Sequence, residues 1–374
     1  MEMILHLTHD CQLSCTYCYS GKRREGRMSW EVAQHAIDLF FTQPWSSEGN
    51  YPEICFFGGE PLLEWELIKK CIEYAESKRA SLNKQFLLSI TTNGLALDEK
   101  KAAYLQAKDC EIVLSFDGVQ ASQDAARPFR NGSSSFLETK RVLKLLLQVI
   151  SNPTVCTVVS PENVEYLPAS IDFLLDEGVK HLILNPNFFT TWDEEHRNLW
   201  REGYEHAAMK LEESYRKGIA LNIKLFTAKI ITYLKGGYDP TDCCMFGLNE
   251  IAVAPSGLIY PCQRMVGEDS EELGVLGNVF DGIDIDASNV IANCREVTSP
   301  ECRECDISRR CRNWCSCVNY SLSGDFNRPG GLICFHEQMV VTLADQVASR
   351  LFKEKNKTFM ETFYSEKHIA PEWI

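Results

Sequence analysis

The chain has 374 residues, 45% apolar and 24% charged. These are globular proportions, and they exclude a disordered tail, a collagen-like repeat and a low-complexity polymer. At roughly 150 residues per domain, the length predicts two or more structural units. A net charge of −14 with no basic block speaks against nucleic acid and anionic membrane as partners. No apolar run reaches the roughly 18 residues of a membrane span, and residues 1–10 carry no Lys or Arg, so no secretory signal is read and a cytoplasmic protein is expected. The count of 17 cysteines is odd. In a chain without an export signal, it favours metal-binding thiolates over a disulfide framework.

In chain order, a strand is predicted near 4–8. Ser29 then caps a helix over 30–41, followed by a strand at 54–57 and a helix over 62–80 after Pro61. Further strands are predicted at 86–91, 112–116, 154–159 and 181–184, with a helix over 162–177 that Gly178 ends. This βα repetition predicts six parallel strands with outer helices, an α/β barrel or part of one. After Tyr238 the texture changes. Residues 243–337 hold ten of the cysteines among Gly, Pro and charged residues, as expected of a module folded around metal. A helix over about 337–355 precedes a polar tail. The expected units are residues 1–225, 226–337 and 338–374.

Cys11, Cys15 and Cys18 form C-x3-C-x2-C directly after the first strand. Three thiolates on one loop can hold three irons of a cubic 4Fe–4S cluster and leave the fourth open. A zinc site with His9 as fourth ligand is the competing reading. Functional groups of parallel α/β folds gather beyond the C-terminal strand ends. There the sequence places Gly58-Gly59-Glu60-Pro61, Thr91-Thr92-Asn93-Gly94 and Ser115-Phe116-Asp117-Gly118. Each offers closely approachable backbone or a small polar group.

Cys11-x3-Cys15-Thr16-Tyr17-Cys18 and Gly58-Gly59-Glu60-Pro61 resemble the radical S-adenosylmethionine (SAM) superfamily. That resemblance implies a partial (βα)6 TIM-like barrel, and an open iron chelated by the amino and carboxylate groups of SAM. One-electron cleavage then yields methionine and a 5′-deoxyadenosyl radical. Gly58, Gly59, Glu60 and Pro61 would meet the amino group, and Tyr17 the adenine. Ser115 and either Arg127 or Arg130 would hold the carboxylate and ribose side, with Asn93 and Asp117 joining the cofactor-binding set. Read as residues alone, Arg127 and Arg130 are equally well surface charges.

The second block runs Cys244-x12-Gly257-x4-Cys262, then Cys302-x2-Cys305-x5-Cys311-x3-Cys315, then Cys334. It offers enough thiolates for two metal centres, with zinc the plain alternative. The pattern is similar to the SPASM extension of the same superfamily, which carries two auxiliary 4Fe–4S clusters. By position, Cys302, Cys305, Cys311 and Cys334 would hold the outer cluster. Cys262, Cys315 and one of Cys243 or Cys244 would hold the inner one, whose remaining ligand stays open among Cys243, Cys244, Cys294, Cys317 and none. Cys55, Cys71, Cys110 and Cys156 read as buried hydrophobes.

SPASM proteins that this chain resembles mostly modify peptides or proteins. The resemblance therefore implies a precursor peptide given a thioether or carbon–carbon crosslink, a sulfatase oxidised to formylglycine, or a small metabolite dehydrogenated. Gln263 stands where sulfatase maturases carry a catalytic Asp, and an amide cannot accept the proton; Glu268 or Asp269 could substitute. No other catalytic residue is assigned. With the first strand expected near residue 4, no leader-binding domain is expected before it. A leader would then meet a separate recognition protein, the barrel and SPASM surface, or nothing. A flavodoxin or ferredoxin-like reductant completes the partners. The non-enzyme alternative is an iron–sulfur electron carrier, which leaves the SAM-shaped loops unexplained.

Overall fold

The computed structural model describes residues 2–21, 25–42, 51–82, 84–239, 242–270, 274–295, 297 and 299–364. The polar tail after Tyr364 lies outside the described residues. Strands β1 (Glu2–His6), β2 (Glu53–Phe57), β3 (Leu87–Thr92), β4 (Cys110–Ser115), β5 (Thr154–Val159) and β6 (His181–Pro186) are the six expected. They pair in parallel and in sequence order. Between them lie α1 (Trp30–Thr42), α2 (Trp65–Leu82), α3 (Glu99–Ala107), α4 (Gln120–Ala126), α5 (Phe136–Val149) and α6 (Leu167–Asp176). The expected α/β class and partial barrel are observed.

Alternation along each strand sorts the side chains. On β1, Met3 and Leu5 join the large core beneath the helices, while Ile4 packs with Cys55, Ala252 and Tyr260 in a separate cluster. Ser29 caps α1 as expected, its Oγ accepting from Val32 N at 3.1 Å. The helix expected over 62–80 divides into a 3₁₀ turn, Pro61–Glu64, and then α2. Likewise 162–177 divides into a 3₁₀ turn, Val164–Tyr166, and α6. Pro168 lies in the first turn of α6, where its missing N–H is harmless, and the α-helix starts there.

Helices α7 (Glu194–Arg216) and α8 (Lys224–Lys235) follow, separated by the two-residue strand β7 (Asn222–Ile223) on β6. Strand β8 (Glu250–Val253), which the sequence pattern does not mark, lies deep in the cysteine-rich region, yet it pairs in parallel with β1. Strands β9 (Leu258–Tyr260), β10 (Gly277–Asn278) and β11 (Gly282–Ile283) continue antiparallel from it. One sheet thus runs β11-β10-β9-β8-β1-β2-β3-β4-β5-β6-β7. Helices α9 (Ile285–Ala292), α10 (Pro300–Arg303) and α11 (Ser316–Ser323) follow, with Cys302 in α10 and Cys317 in α11.

Helix α12 (Gly331–Lys353) begins six residues before the expected start at 337, and α13 (Lys357–Phe363) follows it. Gly330 and Gly331 stand at the start of α12. Glycine there permits close packing, since a Cβ on Gly330 would lie 2.6 Å from Leu322. The expected divisions at 225/226 and 337/338 fall inside α8 and α12. These helices are tied by a buried ion pair, Lys229 Nζ to Glu337 Oε2 at 2.6 Å, with side chains 3% and 2% exposed. Glu337 Oε2 also accepts from Arg312 N at 2.9 Å, and Lys229 Nζ donates to Arg310 O at 2.5 Å. The Cys311–Cys315 loop is thereby fastened to the barrel.

Candidate functional site

The inner faces of the barrel strands enclose a cavity of about 1260 Å³. Cys11, Cys15 and Cys18 line it from the loop after β1. That loop is stitched on two sides. Gly59 N donates to Thr8 O at 2.7 Å and Glu60 N to Asp10 O at 2.8 Å; Ser14 N donates to Pro128 O and Thr16 N to Ala126 O, both at 2.9 Å. A Cβ on Gly59 would lie 2.3 Å from Asp10 O, and one on Gly58, whose φ is +129°, would lie 2.5 Å from Thr8 O. Glycine is therefore required at both positions, and their backbone lines the cavity beside the thiols.

Glu60 does not line the cavity. It is fully buried and saturated, its carboxylate accepting from Leu62 N at 3.0 Å, Thr92 Oγ1 at 2.6 Å and Asn93 N at 2.8 Å. Burial pushes its pKa upward, and these donors oppose the shift. Its position ties the end of β2 to that of β3. Pro61 begins the 3₁₀ turn behind it. Asn93 reaches the cysteine loop, its Nδ2 donating to Cys11 Sγ at 3.5 Å and Gln12 Oε1 at 3.2 Å.

A second network connects the loop to β4 and β5. Asp117, fully buried, accepts at Oδ2 from Tyr17 OH at 2.5 Å and at Oδ1 from Val158 N at 3.0 Å, and its Oδ2 forms an ion pair with Arg127 Nε at 3.1 Å. Arg127 lies 5.1 Å from the centre of the Tyr17 ring. Tyr17, Ser115 and Arg127 line the cavity, with Asp117 behind them. Arg130 is elsewhere, 46% exposed in an ion pair with Asp10. Burial pushes the Cys15 thiol up to about 12, with Arg127 drawing it back, so a bound cation is what converts this thiol to thiolate.

The second set of thiols meets the same cavity. Cys243, Cys244, Cys262, Cys315 and Cys317 line it. Cys262 and Cys317 approach to 3.6 Å, and Cys315 and Cys317 to 3.7 Å, between sulfurs. Cys334 interacts electrostatically with Cys302 and Cys305, and Cys311 with Cys334; this group lies away from the cavity. The structure thus gathers thiols in three places. Among the described residues, no three Cys, His, Asp or Glu side chains converge as ligands of a single metal ion. The donor chemistry suits iron–sulfur clusters, which are held by thiolates.

Gln263 lines the cavity. Asp269 is turned away, bonded to Ser256 and paired with His9 Nε2 at 3.5 Å, and Glu268 lies against Gly21. The carboxyl beside Gln263 is instead Glu250 on β8, whose Oε1 accepts from Gln263 N at 3.4 Å. Burial pushes its pKa upward, opposed by its bonds to Cys262 and Gln263. Arg264 lies between the rings of Tyr19 and Phe189, 5.1 and 5.0 Å from their centres; among the described residues no acidic side chain pairs with it. Cys55 and Cys71 are core residues; Cys110, also in the core, and Cys156 line the cavity from β4 and β5. Nothing in the local pattern around Glu250, Arg264 or Cys156 marks them, because each is brought in by tertiary packing.

Residues 5–174 match the radical SAM superfamily. The chain belongs to that superfamily. Its radical SAM domain implies a 4Fe–4S cluster and SAM. Relatives include the uncharacterized protein MJ0907 of Methanocaldococcus jannaschii, 32% identical over 50% of this chain and 67% of that protein. The radical SAM cyclopropyl synthase TigE of Paramaledivibacter caminithermalis is 24% identical over 95% of this chain and 74% of its own. A cysteine-type anaerobic sulfatase-maturating enzyme of Clostridium novyi is 23% identical over 84% and 87%. The structure of anSMEcpe with bound AdoMet and Cp18Cys peptide superposes with a TM-score of 0.77 at 20% identity, covering 95% of this chain and 98% of that one. At that identity the likeness speaks to the fold.

Proposed function

We propose that this chain is a radical SAM/SPASM peptide maturase that forms a thioether or carbon–carbon crosslink in a ribosomally made precursor peptide. The observation that carries the reading is the meeting, in one cavity, of the Cys11–Cys15–Cys18 loop with the Cys244, Cys262, Cys315 and Cys317 thiols. A peptide segment inside it has one group on either side. In this reading, residues 1–225 are the barrel, 226–337 the auxiliary unit and 338–374 the C-terminal helix and tail.

Cys11, Cys15 and Cys18 would hold the SAM-binding cluster, with SAM seated against Tyr17, Gly58, Gly59, Asn93, Ser115 and Arg127. Two auxiliary clusters would bring the total to three, the outer one on Cys302, Cys305, Cys311 and Cys334. When bound, the SAM-loaded cluster supplies a 5′-deoxyadenosyl radical able to remove a hydrogen atom from an unactivated carbon. The protein's task is selectivity. Glu60 holds the Asn93 backbone and Asp117 orients Tyr17 and Arg127, so the cofactor side of the cavity is rigid before the peptide enters. Bond formation then releases one electron, which the auxiliary clusters would take up, and one proton, which the Glu250 carboxyl, beside Gln263, is placed to accept.

The same carboxyl sustains a second reading, formylglycine formation, in which Glu250 replaces the Asp absent at Gln263. Anaerobically reconstituted, reduced protein should convert SAM to 5′-deoxyadenosine, the outcome an electron carrier would not give. With the peptide encoded beside this chain, mass spectrometry should show a loss of about 2 Da per crosslink. A loss of about 18 Da at Cys with aldehyde reactivity and no new linkage would favour formylglycine formation instead.

A further inference from the structure

In a chain of net charge −14, a guanidinium without a carboxylate partner is out of place. Arg264 is half-buried and lines the cavity. Among the described residues its side chain makes no hydrogen bond and no ion pair. Glu250 and the thiols of Cys262, Cys315 and Cys317 feel its charge, but none of them pairs with it. Aromatic rings hold it instead: the guanidinium carbon lies 5.1 Å from the centre of the Tyr19 ring and 5.0 Å from that of Phe189. Such contacts offset part of the desolvation of the cation without consuming its N–H groups. Its hydrogen-bonding fork is therefore left for a group that enters the cavity. Asn185 and Gln263 line the same cavity, and among the described residues neither side chain has a hydrogen-bond partner; amides of this kind suit a peptide backbone.

The position is built before any peptide arrives. Tyr19 follows Cys18 in the metal loop and stacks on Phe57 of β2, with ring centres 6.1 Å apart and planes 8° apart. Phe189 is 41% exposed, but its loop is tied to the sheet through Asn187. Asn187 N donates to Val159 O at 2.8 Å, its Oδ1 accepts from Phe189 N at 3.0 Å, and its carbonyl accepts from Trp192 Nε1 at 2.8 Å. Arg264 itself lies in the 3₁₀ turn Gln263–Met265, between Cys262 and Val266, and Val266 is buried with Ile4 and Tyr260. Three separate elements thus fix one guanidinium. A carboxylate is the acceptor that suits its fork, since it takes two parallel N–H bonds, and it is the anion a peptide carries at neutral pH. The overall negative charge repels such a peptide at long range, so the carboxylate is selected at close range.

We propose that Arg264 binds a carboxylate of the substrate peptide, from an Asp or Glu side chain or from the C-terminus, and so sets which peptide residue faces the radical side of the cavity. The inference rests on the peptide-maturase reading above and deepens it. Attraction between Arg264 and a thiolate-bound centre is non-directional and leaves the fork unused. A role confined to balancing the inner thiols therefore gives no dependence on the acids of the peptide.

The test uses the reconstituted full chain. Its probe is the peptide encoded beside this chain, synthesised in parent form, with each Asp or Glu changed singly to its amide, and with a C-terminal carboxamide. KM for each peptide is read from modified product by mass spectrometry at saturating SAM. With the parent protein, one altered peptide should show a KM raised about 10–100-fold, the span of a charge-assisted hydrogen bond. Which peptide it is separates a side-chain source from a C-terminal one. Arg264→Gln should raise KM for the parent peptide by a similar factor and treat the two peptides alike, while Arg264→Lys, which keeps the charge and loses the fork, should retain part of the discrimination. A parent protein indifferent to every altered peptide overturns the proposal, whether or not the variants fold. An Arg264→Gln protein that still discriminates overturns it and leaves the guanidinium to the inner thiols. Failure of both variants to fold marks the residue as structural and overturns it as well. A parent protein that cleaves SAM but leaves the encoded peptide unmodified overturns the peptide-maturase reading and this inference together.

Discussion

Asp117→Asn preserves the shape of the side chain and removes its charge. Asparagine can still accept from Val158 N through Oδ1, which Asp117 does at 3.0 Å. Its amide nitrogen, however, replaces the oxygen that now accepts from Tyr17 OH and forms the ion pair with Arg127 Nε, so the hydroxyl donor and the guanidinium both face a donor. Arg127, with its side chain 8% exposed, is left as a buried cation without an acidic partner among the described residues. Removing one partner of a buried pair costs about 3–5 kcal/mol. With an m-value of about 3 kcal/mol/M in urea, the unfolding midpoint of reconstituted protein should fall by about 1–1.7 M. Arg127→Met added to Asp117→Asn removes the stranded charge, so the double variant should unfold later than the single one, with a coupling energy of at least about 2 kcal/mol. Calorimetric titration with SAM should show weaker binding in both, because Tyr17 and Arg127 line the cavity. A single variant whose midpoint lies within about 0.3 M of the parent, or a double variant less stable than the single, would refute the argument.

Gly59→Ala must displace the Asp10 carbonyl, 2.3 Å from the new Cβ. Iron analysis should show about four irons lost per chain, whereas Gly132→Ala, with φ +80° and nothing within 4 Å, should keep its iron and lose about 1–2 kcal/mol of stability. Lys229→Met removes the buried cation that meets Glu337, 2% exposed, and leaves it His336 Nδ1 and Arg312 N, so the loss in urea unfolding should be about 2–3 kcal/mol, below that of a wholly unpaired charge; Glu337→Gln added to it should recover part of that loss. Burial, aided by repulsion from His9, pushes His6 down to about 3. The unfolded chain takes up this proton near 6.5, so the His6 contribution is complete above that pH and declines on acidification by at most about 1.4 kcal/mol per pH unit. Urea midpoints at pH 7.5 and 5.5 should therefore differ less in His6→Gln than in the parent.

Local chemistry is written in the sequence. The period of apolar residues marked β1 to β6, since alternation and helical spacing are properties of a few neighbouring residues. The cysteine spacings and Gly58-Gly59 marked the metal loop for the same reason: three thiolates on one loop need no distant partner to be recognised. Long-range pairing was not legible. Strand β8 pairs with β1 across more than two hundred residues, and no local pattern encodes that register. Arg127 and Arg130 are three residues apart and identical in type, yet one is buried on Asp117 and the other exposed on Asp10. Glu60, read as a ligand at the rim, is a buried acceptor whose three donors come from its own turn and from β3. Cys317 stood level with its neighbours until the turn into α11 brought it against Cys262 and Cys315. Sequence specifies which groups are available and how the nearest ones are spaced; which of them share a buried volume is decided when the sheet closes around the cavity, because burial and pairing depend on residues remote in the chain.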